Sequence, residues 1–348
     1  MKIGIIPENL VERLALALEL VPAPAIEAWF SFMLARVIMA GTKLGVFEAL
    51  AVGPLTCDEV AERCGTHRRA TAKLLNALIG AGCVHSEGGR YRLTSAARRG
   101  LLESSPNSWR DQTLLHYLEW RWWDSCEDYV RTGQPLRVHD QMTNEEWGIY
   151  QRGMRSGIEM PAHWVARHLP VPRAATAMLD IGGGHGYFSV ALCRRYPRLR
   201  STVLDLPRAI RHAAPLLARE GMGDRVAHRA GDALTDDLGS DAYDLVFLAA
   251  LVHHFDEETN RELMRRIAKA LRPGGVVAVW EPLRQDHAER VRQIGGLLDL
   301  YFGFFSRSGT WSSEEIAGWQ QGAGLVPRRP IRMWMGPDLA LHVARKPG

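Results

Sequence analysis

The residues that most constrain this chain run from Ala177 to Ser189: Ala-Met-Leu-Asp-Ile-Gly-Gly-Gly-His-Gly-Tyr-Phe-Ser. An apolar strand carries Asp180 near its end, glycines follow at 182, 184 and 186, and a helix is predicted from near Tyr187. A strand, glycine loop and helix in that order build α/β folds with a parallel sheet, whose ligands bind at the carboxyl ends of the strands. The spacing here is G-x-G-x-G. A dinucleotide fingerprint needs glycine where Tyr187 stands, and a phosphate loop of the Walker type needs Lys followed by Ser or Thr. Neither NAD, FAD nor a nucleoside triphosphate is predicted.

The acidic residues that follow point to a nucleoside instead. A second strand, Ser201 to Pro207, carries Asp205 and then Leu206; a carboxylate at that tip accepts hydrogen bonds from both hydroxyls of an unphosphorylated ribose. A third strand leads to Gly231-Asp232-Ala233, where Asp232 is placed to meet an adenine amino group. The predicted cofactor-binding set is Asp180, Gly182, Gly184, Gly186, Asp205, Leu206, Asp232 and Ala233. A fourth apolar strand, Tyr243 to Val252, delivers His253 and His254 to the same end of the sheet, where α/β folds keep their reactive groups. An imidazole, with an ordinary pKa near ~6.5, is a suitable general base near neutral pH.

With 348 residues the chain is long enough for more than one domain. Residues 1–168 read as mostly helical and residues 169–348 as alternating strand and helix, joined at Leu169-Pro-Val-Pro-Arg-Ala-Ala175. Ile26 to Leu50 is apolar on most faces and follows another Leu/Ala-rich helix, so the pair is predicted to form core and homodimer interface. Thr56-Cys-Asp-Glu59 is a capping-box pattern opening a short helix. A second helix from about His67 to Ala81 and two extended runs around Gly88-Gly89 complete the pattern of a winged helix.

Winged helices often bind DNA, and Arg68, Arg69 and Lys73 on the second helix keep a DNA-binding regulator as a competing reading. A net charge of +4 over the whole chain names no polyanion partner, so no nucleic acid is expected. Five cysteines without C-x-x-C spacing indicate neither a disulfide framework nor a cysteine zinc site. The absence of a signal pattern and of a long unbroken apolar run near the middle predicts no membrane partner and a cytoplasmic protein. Residues 111–160 are rich in aromatic side chains and Met; Tyr117, Trp120 and Met154, with Phe302 and His254, are the predicted lining of an apolar acceptor site.

The runs LDIGGGHG (179–186), VLDLP (203–207), AGDAL (230–234), LVHHFDEE (251–258), LRPGG (271–275) and VWEP (279–282) stand in a characteristic order. In that order the chain resembles the S-adenosylmethionine-dependent small-molecule O-methyltransferases, both the plant caffeate/acetylserotonin type and its bacterial relatives, over nearly its whole length. The resemblance implies an α/β fold with a C-terminal Rossmann-like methyltransferase sheet and an N-terminal, mostly helical dimerisation domain containing a winged-helix motif. It implies S-adenosyl-L-methionine as cofactor, a homodimer, and transfer of methyl to a hydroxyl of a small, aromatic acceptor of specialised metabolism.

By the same resemblance His253 falls on the catalytic-base position and Glu281 on the acid that orients it. Three positions depart from the family pattern: His254 stands where Asp is frequent, Thr310 where a second Glu is expected, and Ala249 where plant members carry a basic residue. Those departures leave room for a C-methyltransferase, or for a relative that keeps the cofactor and catalyses something other than methylation. The metal-assisted form of the former, acting on an α-keto acid, would draw ligands from His253, His254, His287, Asp256 and Asp299. No metal is assigned on this reading.

Overall fold

A computed structural model describes residues 3–285, 287–306, 308–333 and 338–348. The chain forms two compact units, Lys2–Leu118 and Glu119–Gly348. The first contains α1 (Leu10–Ala17), α2 (Ala23–Lys43), α3 (Val46–Ala51), α4 (Cys57–Cys64), α5 (Arg68–Gly80), β1 (Val84–Glu87), β2 (Arg90–Leu93) and α6 (Ser95–Gly100). Helix α7 (Arg110–Trp123) runs through the division.

The N-terminal unit is built on a small core in which Val46, Phe47, Leu50, Val60, Leu75 and Leu78 are fully enclosed. The capping box closes α4 as its sequence requires, with the Glu59 N–H donating to the Thr56 hydroxyl and the Thr56 N–H to the Glu59 carboxylate. Strands β1 and β2 pair antiparallel behind α4 and α5. The long helix expected over Ile26–Leu50 is instead two: the chain leaves α2 through Gly45, whose φ of +75° suits glycine, and re-enters as α3. Within one protomer this segment is buried only in part. Along α2 only Met39, Gly41 and Thr42 are buried within one protomer, while Trp29, Phe30, Phe32, Met33 and Leu34 face outward. With 21 mostly apolar residues, α2 also has the length and composition of a membrane span, which a search for unbroken apolar runs overlooks.

The C-terminal unit continues with α8 (Cys126–Thr132), α9 (Val138–Gln141), α10 (Asn144–Arg155), α11 (Glu159–His168), β3 (Ala177–Ile181), α12 (Tyr187–Arg195), β4 (Arg200–Asp205) and α13 (Pro207–Ala218). It ends with β5 (Val226–Ala230), β6 (Tyr243–Ala249), α14 (Glu257–Ala270), β7 (Leu271–Pro282), α15 (Gln293–Phe305), α16 (Ser313–Gly322), β8 (Val326–Pro327), β9 (Ile331–Arg332) and β10 (Leu339–Arg345). The compact units divide at 118/119, whereas the two prolines suggest a boundary at 168/169. The reason is packing: α10 lies on α13 and α11 on α12, so the helices from residue 119 onward belong with the sheet.

The sheet runs β5-β4-β3-β6-β7-β10-β8, with β9 also pairing with β10. Strands β3 to β7 are parallel to their neighbours, and β10 is antiparallel to β7. The chain winds outward from β3 to β4 and β5, then returns to place β6 on the other side of β3. This reversal is the switch point at which open α/β sheets bind ligands. Ile181 of β3 sits beside Leu248 of β6, so the loops that follow these two strands emerge side by side.

Candidate active site

At the end of β3 the glycine loop is folded as its spacing predicts. Gly182 and Gly184 have φ of +65° and +49°, a region that side chains disfavour, and Gly186 caps α12. Space matters as much as dihedral freedom. A Cβ on Gly182 would stand 2.8 Å from the Leu251 side chain, and one on Gly183 2.6 Å from the Asp180 carboxyl. Asp180 is buried beneath the loop, where it accepts from the Ser189 hydroxyl at 2.6 Å; Ser189 in turn touches Ser201. Burial pushes the Asp180 carboxyl up to about 7, against the pull of the Ser189 hydrogen bond.

Asp205, at the tip of β4, accepts the Gly184 N–H at 2.7 Å through one oxygen and the Leu206 N–H at 2.7 Å through the other. Burial raises its pKa while these two donors oppose the rise. Each carboxylate oxygen keeps a lone pair, which is what two ribose hydroxyls require. Asp232, after β5, caps its own turn by accepting from the Leu234 N–H at 2.9 Å, and Ala233 packs against the neighbouring core. The residues after β3, β4 and β5 thus offer a preformed cradle that fits a nucleoside.

His228 on β5 was not singled out from sequence; its Nε2 lies 2.8 Å from the Gly184 carbonyl. His185, inside the loop, accepts the Tyr187 N–H at 3.1 Å, and burial holds its imidazole down to about 3. The local signal for His228 is a histidine on the strand that follows β3 and β4.

At the end of β6 the backbone is strained: Ala250 has φ of +50°, a region costly for any residue with a Cβ. Three residues on, His253 is buried in a short 3₁₀ turn with Nδ1 at 2.9 Å from Oε2 of Glu281, itself buried at the end of β7. The other Glu281 oxygen accepts the N–H groups of Leu251 (2.6 Å) and Val252 (2.9 Å). One carboxylate therefore fixes both the ring and the backbone that carries it. A carboxylate accepts, so the proton of the neutral imidazole resides on Nδ1 and Nε2 keeps its lone pair. The His253 carbonyl receives the Ser306 hydroxyl at 2.9 Å, and Phe302 stacks on the ring at 3.9 Å between centroids. Trp311 and Asn260 both donate to the Val252 carbonyl, so the turn is held from three sides.

His254 lies beside His253 with ring centroids 4.2 Å apart and planes tilted, and meets a third imidazole, His139 of α9, at 4.8 Å. Around His139 stand Trp147, Tyr150 and Phe305. Burial holds His139 down to about 4, with His253 and Arg208 adding to the effect and Asp140 opposing it. His254 is held well below its ordinary value by burial, then by the other two imidazoles. His139 lies over a hundred residues from His253 in the chain, and nothing in its own neighbourhood marks it; only the tertiary fold brings it here.

The other predicted acceptor residues separate. Trp120 is half-buried on α7 and Met154 half-buried on α10, both in the C-terminal unit. Tyr117 belongs to the N-terminal unit, where Arg36 and Lys43 lie over its ring. Thr310 gives its N–H and its hydroxyl to Asp299. Asp256 caps α14 by accepting the Thr259 N–H. Two of the carboxylates considered for a metal are thus engaged in shaping the fold, and among the described residues no group of three His, Cys, Asp or Glu is placed to hold an ion.

A glycine loop, acidic strand tips and a buried His–Glu pair on one edge of a switch-point sheet define a nucleoside-cofactor transferase of Rossmann-like fold. Comparison with known proteins makes this specific. The family model for the O-methyltransferase domain matches residues 132–325, and that for the O-methyltransferase dimerisation domain matches residues 26–103. The chain belongs to the O-methyltransferase family, and it is an S-adenosylmethionine-dependent methyltransferase.

Among its relatives is a 3-hydroxy-5-methyl-1-naphthoate 3-O-methyltransferase of Streptomyces sahachiroi, 29% identical over 85% of this chain and 87% of the relative. Another is a mitomycin biosynthesis 6-O-methyltransferase of Streptomyces lavendulae, 28% identical over 89% and 91%. In three dimensions the chain superposes on human N-acetylserotonin methyltransferase in complex with SAM with a TM-score of 0.83 at 22% identity, covering 98% of this chain and 99% of that one.

Proposed function

We propose that this enzyme methylates a hydroxyl of a small aromatic acceptor, with His253 as general base and Glu281 as the residue that orients it. The observation that carries the reading is the buried 2.9 Å contact between His253 Nδ1 and Glu281, two residues beyond the Leu251 side chain that rests on the glycine loop. S-adenosylmethionine, when bound, supplies an activated methyl on a sulfonium. The chain's own task is to bind that cofactor, align the acceptor and take its proton. Asp180, Gly182, Gly184, Gly186, Asp205, Leu206, Asp232 and Ala233 form the cofactor cradle.

His253 accepts the hydroxyl proton at Nε2. Glu281 stabilises the imidazolium that results, as a carboxylate does in other His–carboxylate pairs. Phe302, His254, Trp120 and Met154 line the acceptor side in this reading, with His139, Trp147 and Tyr150 added from the geometry. The aromatic natural products named for the relatives above suit such a ring-lined site. The exposed apolar face of α2 falls within the residues matched by the dimerisation model, which supports pairing of two copies rather than membrane insertion. With that face used for pairing, the proposed protein is cytoplasmic and binds neither membrane nor nucleic acid, and residues 1–168 serve dimerisation and acceptor closure while residues 169–348 form the nucleoside cradle.

The test is calorimetric titration with S-adenosylhomocysteine, then radiolabelled methyl transfer to a panel of phenols and naphthols. Micromolar binding with transfer to oxygen supports the proposal. Binding with transfer only to carbon or nitrogen, or with none, overturns it.

A further inference from the structure

The order of the strands orders the cofactor. If adenine is held at Asp232 after β5 and ribose at Asp205 after β4, as proposed above, the strand order would bring the amino-acid end of the cofactor to the glycine loop after β3. Part of the backbone of that loop is already engaged. The Gly184 N–H already donates to Asp205, and its carbonyl lies within hydrogen-bond distance of His228. Arg155, the cation one turn away on α10, is paired with Glu159 and Glu220 and stacked on Tyr187. Ala249 supplies no charge from β6.

One polar side chain meets the loop without a protein partner. Gln151 of α10 is 4% exposed, and its Oε1 has no hydrogen-bond donor. Its amide lies against the loop, 3.1 Å (Oε1) and 3.7 Å (Nε2) from where a Cβ of Gly184 would be. Buried amides without partners are rare, and they mark places where a ligand or water completes the hydrogen bond. The His185 ring, inside the loop, also lies near the backbone of Met154, three residues along the same helix, so α10 runs close beside the loop.

We infer that Gln151 holds the amino-acid end of S-adenosylmethionine, with Oε1 accepting from the α-ammonium and Nε2 donating to the α-carboxylate. A side-chain amide carries both a donor and an acceptor, so one neutral group serves both poles of the zwitterion. The inference rests on the cofactor cradle proposed above.

The experiment compares two ligands that share the nucleoside but differ in the amino acid. S-adenosylhomocysteine and 5′-methylthioadenosine are titrated calorimetrically into the full-length protein and into Gln151→Met, which keeps length and removes the amide. Loss of hydrogen bonds to charged groups is expected to weaken S-adenosylhomocysteine by about ten- to a hundredfold and to leave methylthioadenosine within about twofold. Equal weakening of both ligands, or of neither, overturns the inference while leaving the cradle in place. No binding of either ligand by the unaltered protein overturns the cradle itself. If Gln151→Met does not fold, Gln151→Glu carries the test: it keeps the acceptor and repels the carboxylate, so S-adenosylhomocysteine alone must weaken.

Discussion

At the carboxyl ends of the same sheet lie two regions to which the proposed function gives different parts of the reaction, and they are built from different material. The region after β3, β4 and β5 is backbone: left-handed glycines, N–H groups donating to Asp205, and a carboxyl buried under the loop. The region after β6 and β7 is side chain: three imidazoles, a stacked Phe302 and rings drawn from α9, α10 and α15 around one His–Glu pair. A backbone cradle recognises a cofactor common to many enzymes. A wall of rings can be exchanged residue by residue, so acceptor choice can change without disturbing the cofactor.

Substitutions on either side should therefore separate cleanly. His253→Ala is expected to lower turnover by ~10² to 10⁴ while S-adenosylhomocysteine affinity stays the same, checked by steady-state kinetics beside calorimetry. A parallel loss of affinity would show that the two regions are coupled. Asp205→Ala is expected to weaken S-adenosylhomocysteine by about ten- to a hundredfold or more, with His253 and its Glu281 contact intact in a crystal structure of the variant.

The two regions also contribute stability with opposite dependence on pH. Asp180, raised to about 7 in the folded protein from an ordinary 3.8, gives stability that is complete below 3.8 and lost as pH rises through 7. His139, lowered to about 4 from 6.5, costs stability as pH falls from 6.5 toward 4, because the unfolded chain takes its proton first. Urea unfolding should show Asp180→Asn flattening the loss of stability as pH rises from 4 to 7, and His139→Phe flattening the loss as pH falls from 6.5 to 4, each by the order of 1–3 kcal/mol. Should the two variants alter the same limb, the contrast would not hold.

The smallest effect is expected at Ala250, where glycine would relieve the left-handed strain. Ala250→Gly should stabilise by about 1 kcal/mol or less in thermal unfolding and change turnover only if the strain helps to aim His253.

How far each region can be read from sequence follows from how it is built. The glycine spacing, the acidic residue after each strand and the His253–Glu281 pair are local patterns, or patterns at the ends of adjacent strands, and the sheet order makes them meet. His139 and Gln151 come from helices whose sequences give no sign of what they face, and each is placed only by the docking of α9 and α10 on the sheet unit. Thr310 shows the converse. A position marked by its departure from the family pattern proves to be tied to Asp299, a contact that neither residue announces. The long apolar segment split at Gly45 because one left-handed residue suffices to turn a chain, and periodicity alone does not register it.

The outward-facing side chains of α2, Trp29, Phe30, Phe32, Met33 and Leu34, leave a lone protomer with a large apolar surface in water. Covered by a second copy, that surface makes the folded population depend on protomer concentration. Dilution below the pairing concentration would return that surface to water, so the temperature at which the protein unfolds is expected to fall as protomer concentration falls.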